Sequence, residues 1–184
     1  GNCWIFKEKL KKKNIYSRYK LPTGSVLNEI LKVRKVGLVT IVVRKKYLEN
    51  LSYPFDSRFH VIGDFDLGVR MAIYWKFECV QEPIAFYRLH ESNQFLYTKE
   101  REIKELETWY IEAQSNPNIS KCKNLRRILD GINYIKSLQN LKYKNYLKAF
   151  KYFLKLSICI EKFKLLVALI LPKKIMYILK AYDD

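Results

Sequence analysis

Two carboxylates set two residues apart, Asp64 and Asp66, stand where the apolar pair Val61-Ile62 gives way to a helical pattern. Farther on, the run Tyr87-Arg88-Leu89-His90 ends in an imidazole. Acidic side chains at such a junction can be aimed into a cleft, where they can take a proton from a hydroxyl, ligate a metal or hydrogen-bond a substrate. The plainer reading is a helix cap, since an aspartate near a helix start accepts from exposed N–H groups and is favoured by the helix dipole. A cap uses one carboxylate and leaves the other for chemistry. A histidine at a strand end, taken alone, reads as a hydrogen-bonded structural residue. The upstream acidic pair is what makes His90 a candidate.

Several elements must position these groups. Leu67, Met71, Tyr74 and Trp75 recur at helical spacing, predicting a helix with Asp64 near its N-terminus. Ile84 to His90 predicts a strand in which Arg88 and His90 share one face and Tyr87 and Leu89 the other, with Pro83 suited to its start. Leu38 to Arg44 reads as an apolar strand, and Phe77 to Gln81 as a strand enclosing Cys79 as a buried thiol. Residues 99–114 predict a helix with Ile103, Leu106, Tyr110 and Ala113 on one face and Glu100 placed to meet Lys104. Asn116-Pro117-Asn118 ends it, which sets a boundary between residues 1–115 and a helical tail, 116–184.

The order of these pieces resembles family 2 glycosyltransferases with the GT-A fold. The resemblance covers roughly residues 1 to 115 and rests on Leu21-Pro22-Thr23-Gly24-Ser25, the Leu38–Arg44 run, Tyr53-Pro54-Phe55-Asp56, Ile62-Gly63-Asp64-Phe65-Asp66-Leu67, Gln81 to His90, and Asn93. It implies an inverting transfer of a sugar from a nucleotide donor to a hydroxyl of a glycan or lipid-linked acceptor, as in bacterial cell-surface polysaccharide or lipopolysaccharide synthesis. The family's catalytic base lies in an acidic pair, usually Glu-Asp, that opens a helix. The matching positions here are Gly63 and Asp64, so Asp64 is implied as the base. Gly24 and Asp66 are implied near the acceptor, although Asp66 serves equally as a helix cap. His90 matches the histidine that often reaches a divalent cation, Mg²⁺ or Mn²⁺, holding the donor diphosphate, and Arg88 is implied in the same vicinity. The family's Asp-x-Asp motif and nucleotide-binding βαβ half have no counterpart in residues 1–63, and the chain starts at Gly1. The expectation is therefore a C-terminal, acceptor-side portion that is inactive, or nearly so, alone.

The implied fold class is α/β: a partial GT-A-like mixed sheet flanked by helices, followed by an α-helical extension. The 184 residues, 49% of them hydrophobic, suffice for one core with a helical appendage. The net charge of +17 is uneven: 13 basic and 3 acidic side chains in residues 1–50, 11 and 12 in 51–131, 11 and 3 in 132–184. Basic ends suit nucleic acid, an anionic membrane surface or acidic substrates. Lysine outnumbers arginine 26 to 9, against the bidentate readout of specific nucleic-acid binding. From Leu141 to Leu156 a basic amphipathic helix is predicted, with Lys144, Lys148, Lys151 and Lys155 on one face and Tyr143, Tyr146, Leu147, Phe150, Phe153 and Leu154 on the other. It suits either the inner membrane surface or the cover of a core. Leu165 to Leu171 is too short an apolar run to span a bilayer, which takes about 20 residues. Cys3, Cys79, Cys122 and Cys159 form no Cys-x-x-Cys pair, which predicts neither zinc nor a disulfide framework. A cytoplasmic setting, peripheral on the membrane at most, is the expectation. The rival of a different class is a non-catalytic basic helical module that binds anionic membrane or nucleic acid.

Overall fold

The computed structural model describes residues 1–34, 36–90, 99–158 and 160–170. These divide into two units, Gly1–Leu125 and Arg126–Asp184. The segment after Asn116-Pro117-Asn118, up to Leu125, is grouped with the first unit.

The first unit is mixed α/β. Strand β1 (Asn2–Lys7) pairs antiparallel with β2 (Lys12–Ile15) and parallel with β3 (Pro83–Leu89), giving the order β2-β1-β3. The buried Asn2 holds the start of this sheet. Its amide donates to the carbonyls of Ser17 and Gln81, and its Oδ1 accepts from the N–H groups of Cys3 and Ser17. The segments just after β2 and just before β3 are thus tied through one side chain, which a hydrophobic residue of similar size could not do. The Lys13 ammonium lies 4.0 Å from the Trp4 ring centroid and 4.9 Å from that of Phe86, which pairs with Trp4 across the sheet. In this way one cation of the lysine-rich segment sits over aromatic faces.

Helices α1 (Leu27–Val33), α2 (Lys45–Glu49), α3 (Gly63–Tyr74) and α4 (Lys99–Ser115) complete the unit. The expected strand over Ile84–His90 is β3, and the expected helix over 99–114 is α4, ending just before Asn116. Two other strand expectations are corrected. Leu38–Thr40 forms a 3-10 turn and the rest of that run pairs with no strand. Thr40 is held instead by single contacts to the chain start: its Oγ1 donates to the Gly1 carbonyl and its own carbonyl accepts from the Gly1 ammonium. Phe77–Gln81 forms no strand: Phe77 makes an isolated bridge with Gly24, the Val80 carbonyl accepts from the Asn2 N–H at 3.0 Å, and Cys79 is half-buried, its Sγ near the Val80 carbonyl. Branched residues favour strands only where a neighbouring strand receives them.

The face of α3 also differs from the periodic reading. Leu67 and Met71 are buried as expected, but Tyr74 is 67% exposed and Trp75 lies beyond the helix. Gly63, Phe65, Asp66, Gly68, Val69 and Ala72 are buried as well, so α3 is enclosed on most of its circumference. Phe65 meets the α4 residue Trp109 edge-on, with ring centroids 4.8 Å apart.

The second unit consists of α5 (Arg126–Lys142), α6 (Tyr146–Leu154) and α7 (Ile160–Ile170). The single helix expected over Leu141–Leu156 is broken at Tyr143–Asn145, where Lys144 takes a left-handed conformation and Asn145 caps α6 by accepting from the Lys148 N–H. Tyr134, Leu141, Ala149, Phe153, Leu156 and Leu165 form its core. The buried Ser137 hydroxyl donates to the Ala149 carbonyl at 2.9 Å, joining α5 to α6. Asp130 accepts from the backbone N–H and hydroxyl of Ser157, closing the segment that follows α6. Among the described residues, no helix is long and apolar enough to cross a membrane.

Candidate active site

Asp64 lies in the first turn of α3, and a set of charged side chains fixes the segment that delivers it. Residues 51–62 contain no strand, so their backbone groups need partners from elsewhere. The Arg70 guanidinium, about two turns into α3, donates to the carbonyls of Tyr53 (2.7 Å) and Pro54 (2.8 Å) and covers the Tyr53 ring. Arg58 forks onto Asp56 and reaches Glu112 of α4. Glu105 of α4 does most. Its buried carboxylate accepts from the N–H groups of His60 (3.1 Å), Val61 (2.8 Å) and Ile62 (3.1 Å), and from Arg101 Nε at 2.8 Å. The residue before α3, Ile62, has no side chain able to cap, and what Glu105 fixes is the turn that leads into the helix, through the N–H groups of residues 60–62.

These bonds set the charge states. Burial pushes the Glu105 carboxyl up, but the three N–H groups and Arg101 outweigh it and hold its pKa below the ordinary value. The Arg58 guanidinium likewise holds Asp56 low. Asp64 goes the other way. It is half-buried, its Oδ1 accepts from the Phe65 N–H at 2.7 Å, and burial raises its pKa against that bond. A carboxylate with raised proton affinity is better suited to act as a base. Tyr16 lies within its field: burial raises the Tyr16 phenol, and the charges of Cys3 and Asp64 add to the shift.

Asp66 has a different place from the one implied. Only 5% exposed, it accepts from Trp109 Nε1 at 3.1 Å through one oxygen and from Arg70 Nε at 2.8 Å through the other. Burial raises its pKa even against the pull of Arg70. We assign it to the junction of α3 and α4 and not to an acceptor, and it makes no capping bond either. Gly24 sits at φ 79°, with its N–H and carbonyl both engaged by Phe77 (2.7 and 2.9 Å). No atom lies within 4 Å of where its Cβ would stand, so its role here is to turn the backbone.

Arg88 is exposed on the face of β3 that also carries Ile84 and Phe86, opposite the half-buried Ala85, Tyr87 and Leu89. His90 follows the Leu89–Lys7 pair at the far end of β1, whereas the Tyr16 N–H meets the Cys3 carbonyl near the start of that strand. Cys3 and Lys7 are separated by about 13 Å of extended chain. Among the described residues, no cluster of three or more His, Cys, Asp or Glu could hold a metal ion. His90 contributes a single imidazole at that position. Asn93 and Cys159 lie outside the described residues.

The residues that sequence reasoning passed over are Glu105, Trp109, Arg70 and Arg58. Glu105 carried a signal: it lies between Ile103 and Leu106 on the buried side of α4 and four residues after Arg101. A carboxylate on an apolar face needs a buried partner, and that partner is the turn before Asp64. Comparisons with protein-family models, curated proteins and solved structures give no match to this chain.

Proposed function

We propose that this chain is the acceptor-side portion of an inverting glycosyltransferase with a GT-A-like catalytic domain, and that Asp64 is its general base. The observation that supports this most is the setting of Asp64: a half-buried carboxylate of raised proton affinity at the head of an enclosed helix, following a turn whose N–H groups the Glu105 carboxylate of α4 holds. In such a reaction the acceptor hydroxyl loses its proton to Asp64 as its oxygen attacks the anomeric carbon of the donor sugar. The bond from that carbon to the nucleoside diphosphate breaks with inversion, and the diphosphate leaves with its electron pair. Donor binding itself, and any cation, would draw on groups beyond those described.

The test is Asp64→Asn in the full-length polypeptide, with labelled nucleotide sugars and membrane extract as the source of glycan and lipid-linked acceptors. The variant keeps the acceptor for the Phe65 N–H and loses the base. Transfer should fall by about 10²- to 10⁴-fold, with nucleotide-sugar binding by calorimetry unchanged. Turnover close to wild type would remove Asp64 from this role. Absence of transfer by the wild type from every donor in the panel would favour a non-catalytic relative, the reading that Gly63 in place of an acid also motivates.

A further inference from the structure

The periodicity of α6 gives it one broad apolar face, but the second unit buries only part of it. Ala149 and Phe153 point into the core, while Tyr146 (59%), Leu147 (88%), Phe150 (49%) and Leu154 (60%) remain exposed, as does Tyr143 (71%) in the turn before the helix. At a helical turn of about 100° per residue, these four exposed positions form one continuous stripe. Lys148 and Lys151, with Lys144 before the helix and Lys155 after it, are all exposed and border that stripe. The helix thus has three longitudinal bands: buried, exposed apolar and cationic. A helix that merely roofs a core needs only the first and a polar remainder.

From this arrangement we infer that α6 lies on an anionic lipid surface, its Tyr146-Leu147-Phe150-Leu154 stripe at the boundary of headgroups and acyl chains and its lysines among the phosphates. The occupant follows from the combined chemistry. Aromatic and leucine side chains match the interfacial region of a bilayer, and the lysine band supplies charge complementarity to an anionic leaflet. A protein partner would be expected to select against so many lysines at its contact, and a nucleic acid would leave the leucines unused. Residues 126–184 carry 13 Lys and Arg against 4 Asp and Glu, so the whole unit is drawn to such a surface. The inference does not depend on the glycosyltransferase reading.

The experiment uses the full chain with vesicles of phosphatidylcholine alone or mixed equally with phosphatidylglycerol, followed by co-sedimentation. Binding should require the anionic lipid. Leu147→Glu, at a position with no core contact to lose, and separately Lys148→Gln with Lys151→Gln and Lys155→Gln, should each weaken it by about tenfold or more. Because the native tryptophans are Trp4, Trp75 and Trp109, Phe150→Trp places the one indole of the second unit in the stripe, and brominated acyl chains should quench its added emission. Retained binding in Leu147→Glu overturns the inference. So does equal binding to neutral vesicles, or binding to duplex DNA that tracks the lysine variants alone. A dimer in sedimentation velocity that Leu147→Glu abolishes, without vesicle binding, likewise overturns it and assigns the stripe to a second copy of the chain.

Discussion

Replacing Glu105 by glutamine tests whether a side chain on α4 holds the entrance to α3. The carboxylate accepts three backbone N–H groups and the Arg101 guanidinium while its side chain is 7% exposed. Glutamine retains one carbonyl oxygen and turns an amide N–H₂ toward at least one of these donors. A buried donor left without an acceptor costs about 1–3 kcal/mol. The Arg101 bond adds little, because its guanidinium is half-exposed and solvent-screened. The expected loss is about 2–3 kcal/mol from the first unit. All three tryptophans belong to that unit, so urea denaturation followed by tryptophan fluorescence reports it without the helical unit. The pH dependence adds a second readout. The folded pKa of Glu105 is lowered, so its contribution is present above the ordinary glutamate range and is lost as pH falls through the folded value. The gap between wild type and variant should therefore be widest near neutrality and narrow in acid. A Glu105→Gln variant within about 0.5 kcal/mol of wild type at neutral pH would refute the clamp.

Asp64 should show the opposite sign. Its folded pKa is raised, so ionisation lowers stability as pH rises above the ordinary aspartate range, and Asp64→Asn should unfold at the same or higher urea concentration than wild type at pH 7. A clear loss of stability would mark Asp64 as structural. Gly68 allows close approach of α3 to Val36, since an added Cβ would stand 2.7 Å from a Val36 methyl. Gly68→Ala should cost about 1–3 kcal/mol, and a double-mutant cycle with Val36→Ala should show a favourable coupling. Gly24→Ala should cost about 1–2 kcal/mol through its left-handed backbone alone, measured in the same fluorescence assay. Glycine-like stability of that variant would show that the turn relaxes.

Local signals in the chain were enough to place β3, α4 and the stop at Asn116-Pro117-Asn118, because period and punctuation there act over a few neighbouring residues. They were enough, too, to set Asp64 in the first turn of a helix. Where a residue's fate depended on a distant partner, they failed. The branched run Leu38–Arg44 formed no strand because no neighbour received it, whereas the lysine-rich start became a hairpin because β3 supplied a parallel edge. Asp66 looked identical in kind to Asp64, yet Trp109, 43 residues away, turned it into a packing group. The place of Glu105 on an apolar face signalled a buried partner, but not that this partner is a loop 43 to 45 residues upstream. Sequence period reports the environment averaged along one element, but the pairing of a buried charge is decided by which elements meet, and only the tertiary structure settles that.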